Sequence, residues 1–348
     1  MSSGSPVRIG IIGAGNFANT HLEEYAKVEG VEVVALCRRN PDGLKAMQDK
    51  WGIKSGYTDY REMLKSDEIN AVDIITPTNM HHSIALDAIA AGKHVLCDKP
   101  LAMTASEASE MLEAAEKAGA VHCTNFNQRG RTPAGQMKQL IDDGYIGDVY
   151  HMNIYWYQSH SIDVRPDAVS WRFQKEYGGG TLYELIHTFD MALLYGGPVK
   201  RVTAVAPTME KHRPFADAPD GADVTVPDSS GILLEFESGA YAVIHTSFVS
   251  RGLDENNNSN VHIDIAGSKG RLRSDSLTVI NGINGEGNRD ILRPVEPIGT
   301  YPQPYQQFVE AIRDGVPVRT SFEAGLEAAR VRDAAQLAAD TGQWVVLS

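Results

Sequence analysis

Cysteine is scarce in this chain of 348 residues: Cys37, Cys97 and Cys123 stand far apart, with no CxxC pair among them. That excludes a disulfide framework and a thiolate metal site. Each cysteine falls in or beside an apolar, strand-like run, where it reads as a small buried hydrophobe. Long apolar runs are also missing, and no window approaches the roughly 18 consecutive apolar residues of a membrane span. The start, MSSGSPVRIG, lacks the basic stretch followed by an apolar run that marks a secretory leader. A cytoplasmic location and no membrane partner are therefore expected. Clusters of Lys and Arg are absent, and acidic residues outnumber basic ones 45 to 32, for a formal charge of −13. Phosphate binding along a nucleic acid needs a basic face, so no nucleic-acid partner is expected. The histidines show no metal-ligand spacing, and no metal is expected. There is no internal repeat, and the low-complexity content is confined to DENNNSN.

What is present is an ordinary globular balance, 42% hydrophobic and 22% charged. The length exceeds that of one hydrophobic core, so two domains are expected. The first third alternates short apolar strands (VRIGII, VEVVALC, AVDIITP, KHVLCDKP, AVHCTNF) with helical segments. That alternation predicts a doubly wound parallel sheet over residues 1–125, an α/β dinucleotide-binding domain with ligands at the carboxyl ends of its strands. From 126 to 348 the strands lengthen and alternate in polarity. SSGILLEFE and AYAVIHTSFV flank a Ser238-Gly239 turn, and VHIDIAGSKGRLRSD reads as strand, turn and strand. The expected second domain is α+β, with a large, mostly antiparallel open sheet, helices on one face and two closing helices near 305–313 and 322–339.

GIIGAGNFANTH follows a strand and opens a helix, and contains Gly13-x-Gly15-x-x-Ala18. In that context Gly13 permits the tight turn, Gly15 lets backbone approach a pyrophosphate, and Ala18 lets helix pack on strand. The helix N-terminus then faces the negative charge. The second strand ends ALCRRN, with Arg38 and Arg39 where an NAD site carries an acid for the ribose 2′-OH. A guanidinium suits a 2′-phosphate, so NADP(H) is favoured, with NAD(H) the alternative.

HVLCDKPLAMT ends another parallel strand with Asp98, Lys99 and Pro100. A lysine at the mouth of the sheet can hold a substrate hydroxyl and stabilise the developing alkoxide, a task that implies a proton partner; an ion pair with Asp98 is the alternative. In YELIHTFD, at about 100° per residue, Leu182, Leu185, Ile186, Phe189 and Leu193 share one arc while Glu184, His187 and Asp190 share the opposite one. Gly178, Gly179 and Gly180 just before it would admit another backbone or a ligand. Periodicity alone leaves a solvated face and a proton-transfer face both open.

GAGNFA, TPTNMHHSIALDAIAAGKHVLCDKPLAMT, FNQR, KQLIDDGYIGDV, WRF, GGGTLYELIHTFD and GLEAARVRDAAQLAADTG together make the chain resemble the glucose-fructose oxidoreductase, inositol dehydrogenase and rhizopine catabolism protein family (Gfo/Idh/MocA) over essentially its whole length. In that family the lysine of a Glu-Lys-Pro block works beside the nicotinamide with an Asp and a His of the second domain. The resemblance carries these roles to Lys99, His187 and, in the acid's place, Glu184, with Asp190 structural and one turn deeper. Two departures stand out: Asp98 replaces the glutamate, and Glu184-x-x-His187 replaces the commoner Asp-x-x-x-His. The resemblance also places Asn16, Phe17, Thr76, Pro77, Asn79, His82, Asp98 and Asn127 near the cofactor, with Arg172 reaching cofactor or substrate. Tyr157, His160 and Tyr183 become candidate substrate residues.

The activity so implied is reversible oxidation of a secondary hydroxyl on a sugar, polyol or sugar derivative. Two other outcomes occur among relatives: a redox-cycling lyase or glycosidase, with Tyr157, His160 or Tyr183 as an added acid or base, and an NAD(P)-sensing regulator. The presence of both Lys99 and His187 argues against the last. Association through the second domain's sheet implies a homodimer or homotetramer.

Overall fold

The apolar runs of the first third pair into a parallel sheet: β1 (Val7–Ile12), β2 (Val31–Cys37), β3 (Ser55–Tyr57), β4 (Ala71–Ile74), β5 (His94–Cys97) and β6 (His122–Thr124), in spatial order β3-β2-β1-β4-β5-β6. These strands belong to a computed structural model that describes residues 6–159, 170–250, 259–275, 279–284, 292–296 and 301–347. Between them run α1 (Ala18–Tyr25), α2 (Pro41–Trp51), α3 (Tyr60–Leu64), α4 (His81–Ala90) and α5 (Ala105–Ala118). Local chemistry sets their ends. Thr104 accepts from the Glu107 amide at the start of α5, Glu107 accepts from the Met103 amide, and Gly119 stops the helix at φ +63°. Side-chain parity then gives the sheet two cores. Ile12, Val72, Ile74 and Val95 meet α4 and α5 on one face, while Ile9, Ile11, Ala71 and Leu96 meet α1 and α2 on the other.

The second unit begins with α6 (Thr132–Asp142) and β7 (Val149–Gln158), followed by α7 (Thr181–Glu184) and α8 (His187–Gly196). Its further strands are β8 (Val199–Val205), β9 (His212–Phe215), β10 (Ala218–Asp223), β11 (Ser229–Phe236), β12 (Tyr241–Ser247), β13 (Ser259–Gly267), β14 (Gly270–Asp275), β15 (Val279–Asn284), β16 (Arg293–Pro294) and β17 (Val345–Val346). β9 and β10 pair alone; the others form a nine-stranded sheet in order β16-β15-β14-β13-β7-β12-β11-β8-β17. All its pairings are antiparallel except β7 with β12. Ser238-Gly239 closes the β11–β12 hairpin as expected, with Gly239 at φ +87°. Along β7 the buried residues Met152, Ile154 and Trp156 alternate with half-buried Asn153, Tyr155 and Tyr157, and α8 packs on this strand.

One expectation about chain division needs correction. The chain separates into Met1–Asn127 with Pro302–Ala329, and Gln128–Tyr301 with Arg330–Ser348, so the C-terminal part does not all belong to the second unit. The reason is packing. α9 (Pro304–Asp314) puts Tyr305, Phe308 and Val309 into the α1 face of the parallel sheet, and the start of α10 (Phe322–Thr341) puts Phe322, Leu326 and Ala329 into the α4 face. The Thr124 amide donates to Thr320 O (2.6 Å) and the Phe322 amide to His122 Nδ1 (3.0 Å). Among the described residues no helix is long and apolar enough to cross a membrane.

Candidate active site

At the carboxyl end of β1 the glycine loop has the geometry its sequence asks for. Gly13 sits at φ +99°, and a Cβ there would lie 2.6 Å from the Ile75 carbonyl oxygen. Only glycine fits. At Gly15 a Cβ would meet nothing nearer than the Gly13 carbonyl, at 3.9 Å, leaving the open approach a pyrophosphate needs. Ala18 is buried, Asn16 and Phe17 are exposed, and Phe17 caps α1 without a side-chain hydrogen bond, the Ala18, Asn19 and Thr20 amides donating to the carbonyls of Gly15, Asn16 and Phe17 at 3.2, 3.2 and 3.1 Å. Thr76 Oγ1 and Asn127 Oδ1 are buried with no protein partner among the described residues. Polar ligand groups would satisfy both. These features fit a dinucleotide.

At the end of β2, Arg38 Nη1 donates to the Gly43 carbonyl at 3.2 Å, and its guanidinium lies where a Gly43 Cβ would be. Arg39 is exposed, and no acid follows Cys37 directly.

Lys99 lies just beyond β5, two strands from β1 and at the same edge of the sheet, because all six strands run parallel. With strands about 4.8 Å apart, that is about 10 Å from the glycine loop's strand. The turn carrying it is pinned on several sides. The Asp98 amide donates to Ile74 O (2.9 Å), and the Asn125 side-chain amide donates to Asp98 Oδ1 (3.1 Å). His81 lies 2.9 Å through Nδ1 from Pro100 O and 2.8 Å through Nε2 from Thr76 O. Burial pushes the His81 pKa below its ordinary value although Asp98 and the backbone carbonyls pull the other way.

His82 was expected at the cofactor loop, but its Nε2 lies 2.9 Å from the Glu110 carboxylate of α5 on the surface. Successive helix residues turn by about 100°, so only one of the pair can meet the strand ends, and it is His81. Pro77 is half-buried and Asn79 exposed beside it.

In the second unit the continuous amphipathic helix expected for YELIHTFD is broken. α7 ends at Glu184, Leu185 takes φ −99° and ψ +27°, and α8 begins at His187. The expected polar face is not a solvated one: His187 and Asp190 are both buried, while Tyr183 and Glu184 are half-buried. Asp190 accepts two bonds of 3.0 Å from Arg129 Nε and one of 2.6 Å from Arg129 Nη2. It is the structural residue expected. The His187 ring stacks on Trp156, with centroids 5.6 Å apart and planes at 21°. Glu184 faces Arg172 at 3.6 Å, which brings two of the candidate residues together. Tyr183 packs on the fully buried Arg332, whose guanidinium carbon is 4.2 Å from the ring.

The glycines before α7 admit the chain's own backbone. A Cβ at Gly179 would collide with the Arg172 carbonyl, and one at Gly180, which has φ +88°, would lie 2.9 Å from the Pro227 carbonyl oxygen. Tyr157 also departs from expectation. It lies on the sheet face opposite Trp156 and His187, stacked on Tyr155 with its hydroxyl 3.0 Å from His245 Nδ1. Period-two alternation makes the reason simple: adjacent strand residues face opposite ways. Trp156 is the aromatic on the His187 side, and its burial parity with Met152 and Ile154 was the available signal. His160 lies outside the described residues.

Known proteins match this arrangement along the chain. A family model described as "Oxidoreductase family, NAD-binding Rossmann fold" matches residues 7–126, and one described as "GFO/IDH/MocA C-terminal domain" matches residues 135–273. Levoglucosan dehydrogenase of Pseudarthrobacter phenanthrenivorans is 30% identical, with 97% of each chain covered. Myo-inositol 2-dehydrogenase of Thermotoga maritima is 28% identical, with 92% of each covered. The solved structure of a levoglucosan dehydrogenase in complex with NADH superposes with a TM-score of 0.88 at 27% identity, covering 99% of both chains. With both halves matched and relatives aligned along almost all of its length, the chain belongs to the glucose-fructose oxidoreductase, inositol dehydrogenase and rhizopine catabolism protein family (Gfo/Idh/MocA), as an NAD(P)-dependent dehydrogenase or reductase acting on CH–OH groups.

Proposed function

We propose that the protein reversibly oxidises a secondary hydroxyl on a sugar, polyol or sugar derivative, with Lys99 and His187 handling the proton. The observation that carries this reading is the pinned Lys99 turn at the same sheet edge as the open Gly15 approach. The relatives named for levoglucosan, myo-inositol and D-glucosides support a polyhydroxylated ring as the substrate class.

Gly13, Gly15, Asn16, Phe17, Ala18, Thr76, Pro77, Asn79 and Asn127 would hold the dinucleotide, which when bound supplies the hydride acceptor or donor. Lys99 would hold the substrate oxygen and stabilise its developing negative charge. His187 would take the hydroxyl proton. Glu184, facing Arg172, would anchor the substrate and balance charge, with Tyr183 alongside. Arg38 and Arg39 favour a 2′-phosphate and hence NADP(H); the levoglucosan dehydrogenase structures hold NADH, which makes NAD(H) the direct competitor. The α8-free face of the large sheet, carrying Tyr155, Tyr157, His245 and exposed Tyr241, would form a homodimer or homotetramer interface, which light scattering reads.

The test is a panel of sugars and polyols assayed with NAD+ and NADP+ in parallel, following reduced nicotinamide. Turnover of at least one cyclic polyol is expected, with Lys99→Ala lowering kcat/KM by about 10²–10⁴-fold. Failure to bind either dinucleotide, or an unaffected Lys99→Ala enzyme, would sink the proposal.

A further inference from the structure

Strand β4 reads AVDI, and all four residues are buried although one is a carboxylate. Parity turns Asp73 to the face of Ala71 and Leu96, the face covered by α1 and α9. A buried acid needs a partner there, and α1 supplies one in the fully buried His21, whose Nδ1 lies 2.8 Å from Asp73 Oδ2. Asp98 and Asn125 follow the paired strands β5 and β6 by one residue. The Asn125 amide donates to Cys97 O at 2.8 Å, which seats its side chain beside Asp98. Asn125 Nδ2 then lies 3.1 Å from Asp98 Oδ1, 3.3 Å from His21 Nε2 and 3.0 Å from the Tyr305 hydroxyl. His21 also meets Phe17 of the glycine loop edge-on, with ring centroids 5.1 Å apart. One buried group thus touches the cofactor loop, and a single amide links it to the residue before Lys99.

We infer that His21 and Asn125 are positioning residues for the Lys99 turn: His21, held by Asp73, orients the Asn125 amide, and that amide holds the Asp98 carboxylate beside Lys99. The inference rests on the proposed role of Lys99. A carboxylate accepts only, so the atom turned to Asp98 is the amide nitrogen. The second hydrogen of that nitrogen, shared between the Tyr305 hydroxyl and His21 Nε2, can go to His21 only while Nε2 carries no proton. Protonation of His21 puts an N–H against the amide N–H, and Asn125 Oδ1, which has no protein partner among the described residues, becomes the group that should face the imidazolium. Turning the amide to supply it would set oxygen against oxygen at Asp98. The amide's hold on the Asp98 carboxylate, one of the bonds that pin the Lys99 turn, is therefore kept when His21 is neutral and lost when it is charged.

The surroundings put that titration within reach. Burial acts against the imidazolium, yet Asp73, with smaller help from Asp98 and Glu24, outweighs it and moves the His21 pKa above its ordinary value. The other titratable groups around the pair are Tyr25 of α1, Tyr305 of α9 and the buried thiols of Cys97 and Cys123; burial, with Asp73 adding to it, pushes Tyr25, Tyr305 and Cys97 up.

The experiment has two parts. In the dinucleotide-free protein, the His21 imidazole is titrated by NMR, alone and with Asp98→Asn. A midpoint above the ordinary histidine value that falls in the variant is expected, and an unmoved midpoint would disconnect His21 from Asp98 and overturn the inference. In turnover of the polyol identified by the panel, Asn125→Ala and His21→Leu each lower kcat by about 10–100-fold, the scale of a misplaced catalytic group, with KM changed by less than about threefold. His21→Gln, which keeps a donor for Asp73 and an acceptor for Asn125 without titrating, recovers most of kcat and loses the acidic limb of the wild-type kcat profile. An acidic limb that persists in His21→Gln, or an Asn125→Ala enzyme with wild-type kcat, overturns the inference. Should His21→Leu fail to fold, the other two variants decide. Lys99→Ala separates the two levels: if it leaves turnover intact the reading of the site falls and the inference with it, whereas if it abolishes turnover while Asn125→Ala does not, only the inference falls.

Discussion

Each half of the molecule completely buries a carboxylate close to its proposed site residues, Asp73 in the first and Asp190 in the second, and the two are paired with different kinds of cation. In the first unit Asp73 meets His21 at 2.8 Å; in the second Asp190 meets both Nε and Nη2 of Arg129, at 3.0 and 2.6 Å. A guanidinium is always charged and its fork fits a carboxylate bidentately, so the second pair is a fixed brace. It fastens Arg129, just past the unit boundary, to α8 one turn beyond His187. An imidazole can lose its proton within the physiological range, so the first pair can change what its neighbours do. The titratable pair lies beside the proposed cofactor loop and lysine turn, and the permanent pair lies under a helix that only has to stay where it is.

The brace should be the costlier of the two to break. Arg129→Leu strands a fully buried carboxylate and is expected to lose about 3–5 kcal/mol in urea denaturation near pH 8. Burial already raises the Asp190 pKa and Arg129 opposes that rise, so removing the arginine raises it further. The cost of Arg129→Leu should therefore shrink as pH falls and Asp190 takes up a proton. A loss under about 1 kcal/mol, the scale of an exposed pair, would mean that the brace does not hold α8. The reverse cut should cost less. Asp190→Asn leaves an arginine that is still 15% exposed and keeps some water, and a loss of about 1–3 kcal/mol is expected for the unmet bonds. If Asp190→Asn proved the more damaging variant, the buried acid would not be the dominant liability.

How much of this was legible in the sequence differs between the two halves for a physical reason. Parallel strands buried on both faces announce themselves as apolar runs, and the Gly13-x-Gly15 turn, Lys99 at a strand end and the β11–β12 hairpin follow from local chemistry. What stayed hidden depends on contacts between residues far apart in sequence. Asp73 was a visible anomaly, one acid in a run that reads as core, but nothing local says that His21, 52 positions earlier, is its partner. Composition cannot tell His82 from His81, because only the helix phase separates adjacent histidines. Tyr157 and Trp156 differ in the same way, since one residue along a strand reverses the sheet face. In YELIHTFD the arc of Glu184, His187 and Asp190 was a property of an ideal helix. The break at Leu185–Ile186 removes it, and Arg129, which converts Asp190 from surface acid to buried brace, sits 61 positions away. The return of α9 and the start of α10 to the first sheet leaves no compositional mark.

The smallest expected effect is also the one that best separates the two pairs, because it turns on sign. Folding raises the His21 pKa above its ordinary 6.5, burial opposing and Asp73 prevailing. The folded state then holds a proton that the unfolded chain releases, so the stability contributed is fully present below the unfolded value and is lost as pH rises through the folded one. His21→Gln carries no such proton. The stability difference between wild type and His21→Gln, read from urea midpoints at a series of pH values, should therefore decrease as pH rises above 6.5. For Arg129→Leu the corresponding difference should increase with pH, because the stranded acid is charged at the alkaline end. Opposite slopes would establish that one buried carboxylate is held by a cation that can let go and the other by one that cannot. Parallel slopes would mean that His21 stays neutral throughout, and that its bond to Asp73 is an ordinary hydrogen bond without a charge to release.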